Sequence, residues 1–246
     1  MKNLKAALKQ PFRRAYLNYR DRCGKTDAQV ELLRQYEIDL VLDVGANTGQ
    51  YAKRLLKKGY MGRIVSFEPQ PDAFEMLQRR CEDYANWSAV NLALGAENSK
   101  ATLNIAGNSQ SSSLHAMLDR HLESAPDSAY TGTVEVDVCR LDGLIDDIAK
   151  PGDRIFRKID VQGHEQQTID GASGCFDRLS GLELELSLVS LYEGQSLWQE
   201  TIAEMNRRGF ELSGLKPCFK DPDTGVLLQA DGVFVRPSAV IGRRVA

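Results

Sequence analysis

The chain has 246 residues with a formal net charge of −3, 42% hydrophobic and 26% charged, a composition that gives room for one well-buried globular domain. No apolar run approaches the roughly 20 residues that a membrane span requires, which excludes a bilayer-crossing helix. Five cysteines, Cys23, Cys81, Cys139, Cys175 and Cys218, are odd in number and never spaced Cys-x-x-Cys, so neither a disulfide framework nor a zinc site is expected.

Charge is unevenly spread. Residues 1–25 hold eight Lys or Arg against the single Asp21, which leaves the rest of the chain more acidic than its total suggests. An acidic body repels a phosphate backbone, and a nucleic-acid substrate is not expected. Within the basic stretch Leu4, Leu8, Phe12, Tyr16 and Tyr19 recur at near-helical spacing, although Pro11 breaks or kinks a helix there. It reads as a helical extension packed on the domain or on a second subunit of a homodimer, or else as a peripheral membrane contact through its Lys and Arg. Its longest apolar run, Ala6-Ala7-Leu8, is too short for a secretory signal, so a cytoplasmic location is expected. Residues 26–246 then form the domain.

Thr26-x-x-Gln29 is a capping-box pattern opening a helix with Val30, Leu33 and Tyr36 inward. Residues 38–44 read as a central strand that runs through Asp43, Gly45, Asn47 and Gly49 into a helix over 48–58. A phosphate-cradling loop needs Gly-Lys-Ser/Thr after its second glycine, and Gln50 follows here. A dinucleotide fingerprint needs three glycines, and Asn47 stands between two. The loop resembles the first motif of S-adenosyl-L-methionine (SAM) dependent methyltransferases, with Asn47 at a position where left-handed backbone is tolerated.

A second strand over 63–67 ends in Glu68, 19 residues past Gly49, where a βαβ unit places an acid to accept hydrogen bonds from the two ribose hydroxyls of an adenosine. Phe74, Leu77, Cys81 and Tyr84 mark the core face of the next helix. Residues 88–94 read as a third strand, whose exit puts Ala93 and Leu94 beside an adenine. Two β-like runs, 101–106 and 133–138, flank a polar stretch over 107–132 that includes His115 and reads either as a lid or as a solvated loop. A short helix over 141–148 precedes a strong strand over 154–161, where Asp160, Gln162, His164 and Glu165 crowd the turn at its carboxyl end. Residues 182–188 alternate in polarity, so either Glu183 and Glu185 face solvent at a partly open side or Glu185 looks into the cleft. A helix around Trp198, Ile202 and Met205 and two closing strands, 210–215 and 232–236, complete the pattern.

In order and approximate spacing, the segments 41–50, 67–69, 91–95, 141–142, 158–165 and 171–172 resemble the FkbM methyltransferase family, over about residues 26–237. The most specific segment is Lys158-Ile-Asp-Val-Gln-Gly-His-Glu165, which departs from the family's usual pattern at Gln162 and His164. The resemblance implies an α/β class I SAM-methyltransferase fold: a mostly parallel seven-stranded Rossmann-like sheet, helices on both faces and an inserted β-hairpin. It implies methyl transfer from SAM to a hydroxyl of a sugar, glycan or other small natural product. Asp43, Gly45, Asn47 and Gly49 would hold the methionine part of SAM, Glu68 the ribose, and Ala93 and Leu94 the adenine. Removing the acceptor's proton calls for a base, and the candidates are Asp160, His164, Glu165 and Glu185. No metal is expected. An NAD-dependent oxidoreductase or epimerase is the alternative, disfavoured by the missing glycine and the lack of Tyr-x-x-x-Lys; a non-catalytic binding protein is another.

Overall fold

The computed structural model describes residues 27–237. The basic extension over 1–25, with its expected helix and its membrane or dimer contact, lies outside the described residues.

Seven strands form the central sheet: β1 (Leu40–Val44), β2 (Arg63–Phe67), β3 (Trp87–Val90), β7 (Ile155–Ile159), β8 (Leu179–Ser187), β9 (Glu211–Lys220) and β10 (Leu227–Val235), in the order β3-β2-β1-β7-β8-β10-β9. The pairs from β3 to β8 are parallel, and β10 runs antiparallel to both β8 and β9. The order reverses between β1 and β7, which is where an open α/β sheet leaves a crevice at its carboxyl edge.

Alternation along β1 divides the core. Leu40, Leu42 and Val44 face a cluster with Ile145, Ile169 and Met205, whereas Val41 faces Leu33, Ala52, Leu55 and Leu77. Helices α1 (Ala28–Gln35), α2 (Gln50–Lys57) and α3 (Pro71–Cys81) therefore cover one face. The short α5 (Ile145–Ile148), α6 (Glu165–Asp170) and α7 (Trp198–Arg207) cover the other. Asp27 caps α1, accepting from the amides of Gln29 and Val30 at 3.0 and 3.4 Å; Thr26 of the expected capping box lies outside the described residues. At the start of α7 the Glu200 carboxylate accepts from the Leu197 amide at 3.1 Å.

Two expectations need correction. The single strand over 88–94 is two: after β3 the chain bends at Asn91, whose amide side chain donates to the Glu68 carbonyl at 2.8 Å, and β4 (Ala93–Leu94) leaves for another sheet. There it pairs with β6 (Tyr130–Cys139), which is antiparallel to β5 (Ser99–Ala106). The polar stretch between β5 and β6 is not a solvated loop. It contains α4 (Asp119–Ser124) and lies against the carboxyl edge of the main sheet, held by bridges Asn104–Ser113 and Met117–Tyr192.

Candidate active site

Two adjoining cavities open at the carboxyl ends of β1, β2 and β7. The narrower, with about 60 Å³ of free space, is lined by Glu68, Ala93, Leu94, Leu103 and the segment 109–114. The wider, about 600 Å³, is lined by Tyr51, Lys158, Glu183, Glu185, His121 and Asp231. Gly45, Asn47, Asp160 and Gln162 border both.

The loop after β1 is shaped by close approach. A Cβ on Gly45 (φ +74°) would meet the Asp160 carbonyl, and one on Gly49 (φ +84°) would meet Trp87 and Leu77. Gly49 is therefore a packing glycine behind α2 and does not line either cavity. Asn47 has φ +49°, the left-handed conformation its residue type permits. Its amide N–H donates to Glu68 Oε2 at 2.7 Å, and its side chain donates to the Ser109 carbonyl at 2.9 Å.

Asp43 does not reach the cavities. It is fully buried, accepts from Ser66 Oγ at 3.1 Å, and stands 3.7 Å from Lys158 Nζ. Burial raises its pKa, with Lys158 and Ser66 opposing. The lysine also meets Asp160 Oδ2 at 3.1 Å and donates to the Gly45 carbonyl at 3.2 Å, so one cation ties both strand ends together. Neighbouring carboxylates outweigh burial and hold this ammonium charged. Lys158 lay within the quoted motif, but its sequence gave no sign of this role; only cross-strand register, Asp43 opposite Lys158 opposite Glu183, brings the groups into one row.

Glu68 is 7% exposed and accepts from two amides, Asn47 and Gln70, the second at 2.9 Å. Burial pushes its pKa up to about 7 against those hydrogen bonds. Each carboxylate oxygen keeps an acceptor site free for a ligand hydroxyl. Ala93 and Leu94 supply the apolar wall beside it.

The four candidate bases separate. Asp160 borders both cavities and accepts from Gln162 Nε2 at 2.7 Å. Glu185 lines the wider cavity, accepts from Gln162 at 3.2 Å and from Gln229 at 2.6 Å, and is pushed far above the carboxylate range by burial and by Asp160 and Glu165. Glu165 turns away. Its carboxylate accepts from the amides of Val161 and Gly163 at 3.1–3.2 Å, capping its own turn, and it lines neither cavity. His164 lies in the narrow cavity, away from the wider one, with Nδ1 3.0 Å from His115 Nε2. Burial and His115 hold its pKa down at about 4, a poor match for a base near neutrality.

Segment 109–118 closes over this site. Ser113 Oγ donates to the Gln162 carbonyl at 2.6 Å, and Tyr192 donates to Gln162 Oε1 at 2.7 Å. Gln162 itself has φ +54°. Tyr192 and His121 escaped sequence reasoning because no spacing pattern marks them, and only the fold brings them to the sheet's edge.

Cavities astride the β1/β7 reversal, an acid at the end of β2 and the strand order with an antiparallel β10 define a class I SAM-dependent methyltransferase. Residues 43–212 match the Methyltransferase FkbM domain, and the chain belongs to that family. Its cofactor, as a member of that family, is S-adenosyl-L-methionine. The chain is 25% identical over 195 residues to Methyltransferase 1 of Beauveria bassiana, covering 74% of this chain and 76% of that protein. It is 25% identical over 178 residues to the 2-O-methyltransferase NoeI of Sinorhizobium fredii, covering 70% and 72%. A solved structure of Aeropyrum pernix fibrillarin with bound S-adenosyl-L-methionine aligns over 80% of this chain and 66% of that one, at 12% identity and a TM-score of 0.45. Among the described residues no helix is long and apolar enough to cross a membrane, and no group of His, Cys, Asp and Glu is placed to hold a metal ion.

Proposed function

We propose that the chain transfers the methyl of SAM to a hydroxyl oxygen of a sugar or other small hydroxylated compound, with residues 26–246 as the catalytic domain. The observation that carries this reading is the position of Asp160, the carboxylate bordering both the narrow cavity beside Glu68 and the wide one beside Glu185. The residues fit the cofactor: a buried acid with free lone pairs suits a ribose, and the apolar wall of Ala93 and Leu94 suits an adenine. Gly45 and Asn47 give the methionine part an approach to backbone. Asp43 and Gly49 act behind the wall, the first by fixing Lys158 and the second by letting α2 pack close.

Bound there, SAM supplies an electrophilic methyl on a sulfonium that leaves as a neutral thioether. Asp160 accepts the acceptor's hydroxyl proton as the O–CH3 bond forms, a contribution of about 10²–10⁴-fold for a positioned base. Lys158 and Gln162 hold that carboxylate in place. The name of the Sinorhizobium relative, a 2-O-methyltransferase, supports oxygen as the accepting atom. The test is release of S-adenosylhomocysteine on incubating the enzyme with SAM and a panel of free and glycosidic sugars, each product's methyl located by NMR. An O-methyl product supports the reading; methylation at nitrogen or carbon contradicts it.

A further inference from the structure

The wide cavity has a charge imbalance that the transfer itself leaves unused. Its three cations are engaged: Arg54 with Asp27 at 2.7 Å, Lys158 with Asp160 at 3.1 Å, and Lys216 with Asp231 at 3.2 Å. The Glu183 carboxylate has neither hydrogen bond nor ion pair among the described residues. Among the described residues Glu185 meets no cation: the neutral amides of Gln162 and Gln229 and the Cys218 thiol are its side-chain partners. The two alternate along β8, so both project from one face, and Asp231 stands opposite Glu185 across the β8–β10 register.

The facing wall points the same way. His121, on α4, is 3% exposed, lines this cavity, and has a buried Nδ1 without a hydrogen-bond partner. Its ring is wedged between Tyr192 and Phe219, at centroid distances of 5.1 and 5.4 Å. Burial holds its pKa down at about 4, so it is a neutral group that can accept an N–H or O–H and adds no positive charge.

Glu183 and Glu185 are half-buried, and a carboxylate partly withdrawn from water gains most from a cation placed beside it. Burial, with Asp231 beside it, raises Glu183 to about 7, which leaves it part-protonated near neutrality. An ammonium group entering the cavity would keep it ionised; a carboxylate or phosphate would find each of the three lining cations already paired. Because SAM brings its own ammonium to the neighbouring loop, the question is what remains once that is bound.

We propose that the acceptor is a hydroxylated amine of amino-sugar type, its ammonium lying between Glu183 and Glu185 while a hydroxyl faces Asp160. The inference rests on the methyl-transfer reading of the same site, and it names the acceptor's charge.

The test uses the full-length protein saturated with S-adenosylhomocysteine, whose own titration reports separately on the cofactor reading. D-glucosamine, methyl glucoside and glucuronate are then titrated by calorimetry at one pH and ionic strength, and repeated on Glu183→Gln and Asp231→Asn. A preference for glucosamine over methyl glucoside of about tenfold or more, the scale of one part-buried charge pair, with glucuronate weakest, is the expected result. The preference should collapse in Glu183→Gln, with the variant's melting temperature checking its fold. Methyl glucoside binding as well as glucosamine, a preference for glucuronate, an unchanged preference in Glu183→Gln, or no heat from glucosamine overturns the proposal. If S-adenosylhomocysteine gives no heat, the sugar series is run on the free protein and read in the same way, while the cofactor reading fails on its own evidence.

Discussion

A Cβ added to Gly45 would stand 1.8 Å from the carbonyl oxygen of Asp160. The ends of β1 and β7 touch here, and the contact sets the width of the crevice in which both cavities lie. Lys158 reinforces it from the side, reaching the Gly45 carbonyl and Asp160 together.

Gly45→Ala should therefore damage fold and site together. Steric overlap with backbone, added to a φ of +74°, costs about 2–4 kcal/mol and lowers the melting temperature by roughly 5–15 °C. Gly132→Ala, where a Cβ meets nothing within 4 Å, is the control and should stay within about 0.5 kcal/mol. Calorimetric melting of the two variants checks the difference.

Much of this crevice was legible in the sequence. Gly45, Asn47 and Gly49 follow an apolar strand, and Glu68 closes the next one, so loop and acid follow from spacing alone. Asp43 and Glu165 were misread for the same physical reason: a carboxylate at a strand end looks identical whether it faces a ligand or satisfies backbone and side-chain donors behind the wall. Register separates the two cases. Asp43 lies in the row with Ser66 and Lys158, and Glu165 folds onto the Val161 and Gly163 amides. The lid was half legible as a long polar stretch; its fastening to Gln162 and Tyr192 depends on contacts between residues far apart in the chain.

Ser109, Ser112, Ser113 and Leu114 form part of the narrow cavity's wall, so segment 109–118 borders the cleft proposed for the nucleoside. Ser113→Ala removes the bond to the Gln162 carbonyl and the acceptor for the His115 amide, a loss of about 1–2 kcal/mol. Hydrogen exchange across 109–118 should quicken several-fold in this variant while the β1 and β7 amides keep their protection. Equal exchange in variant and wild type would mean that the segment is held elsewhere.

Asp160→Asn should retain S-adenosylhomocysteine affinity within a few-fold and lose about 10²–10⁴ in turnover. Single-turnover transfer to any acceptor found in the sugar panel measures it. Unchanged turnover would move the proton to Glu185, for which Glu185→Gln is the matching variant.

His164 gives the fold an acid-side weakness. Its folded-state pKa, about 4, lies below the ordinary 6.5, so its neutral burial adds stability that is complete above pH 6.5 and drains as pH falls toward 4. Glu165, raised from 4.5 to about 7 by burial, works oppositely: its contribution is complete below pH 4.5 and lost as pH rises through 7. The stability gap between wild type and His164→Asn, from urea midpoints, should shrink between pH 6.5 and 4. A gap independent of pH would show that His164 is not buried neutral.

The central claim is that the cleft beside Glu68 binds the adenosine of SAM, and calorimetric titration of S-adenosylhomocysteine into wild type and Glu68→Gln tests it most directly, with NAD as control. Ribose hydroxyls favour the ionised carboxylate, so wild-type affinity should fall as pH drops below about 7, the folded pKa of Glu68. Glu68→Gln should bind about tenfold or more weakly and lose that pH dependence while melting as a folded protein. Equal affinity in the two proteins, or binding of NAD in place of S-adenosylhomocysteine, would contradict the account.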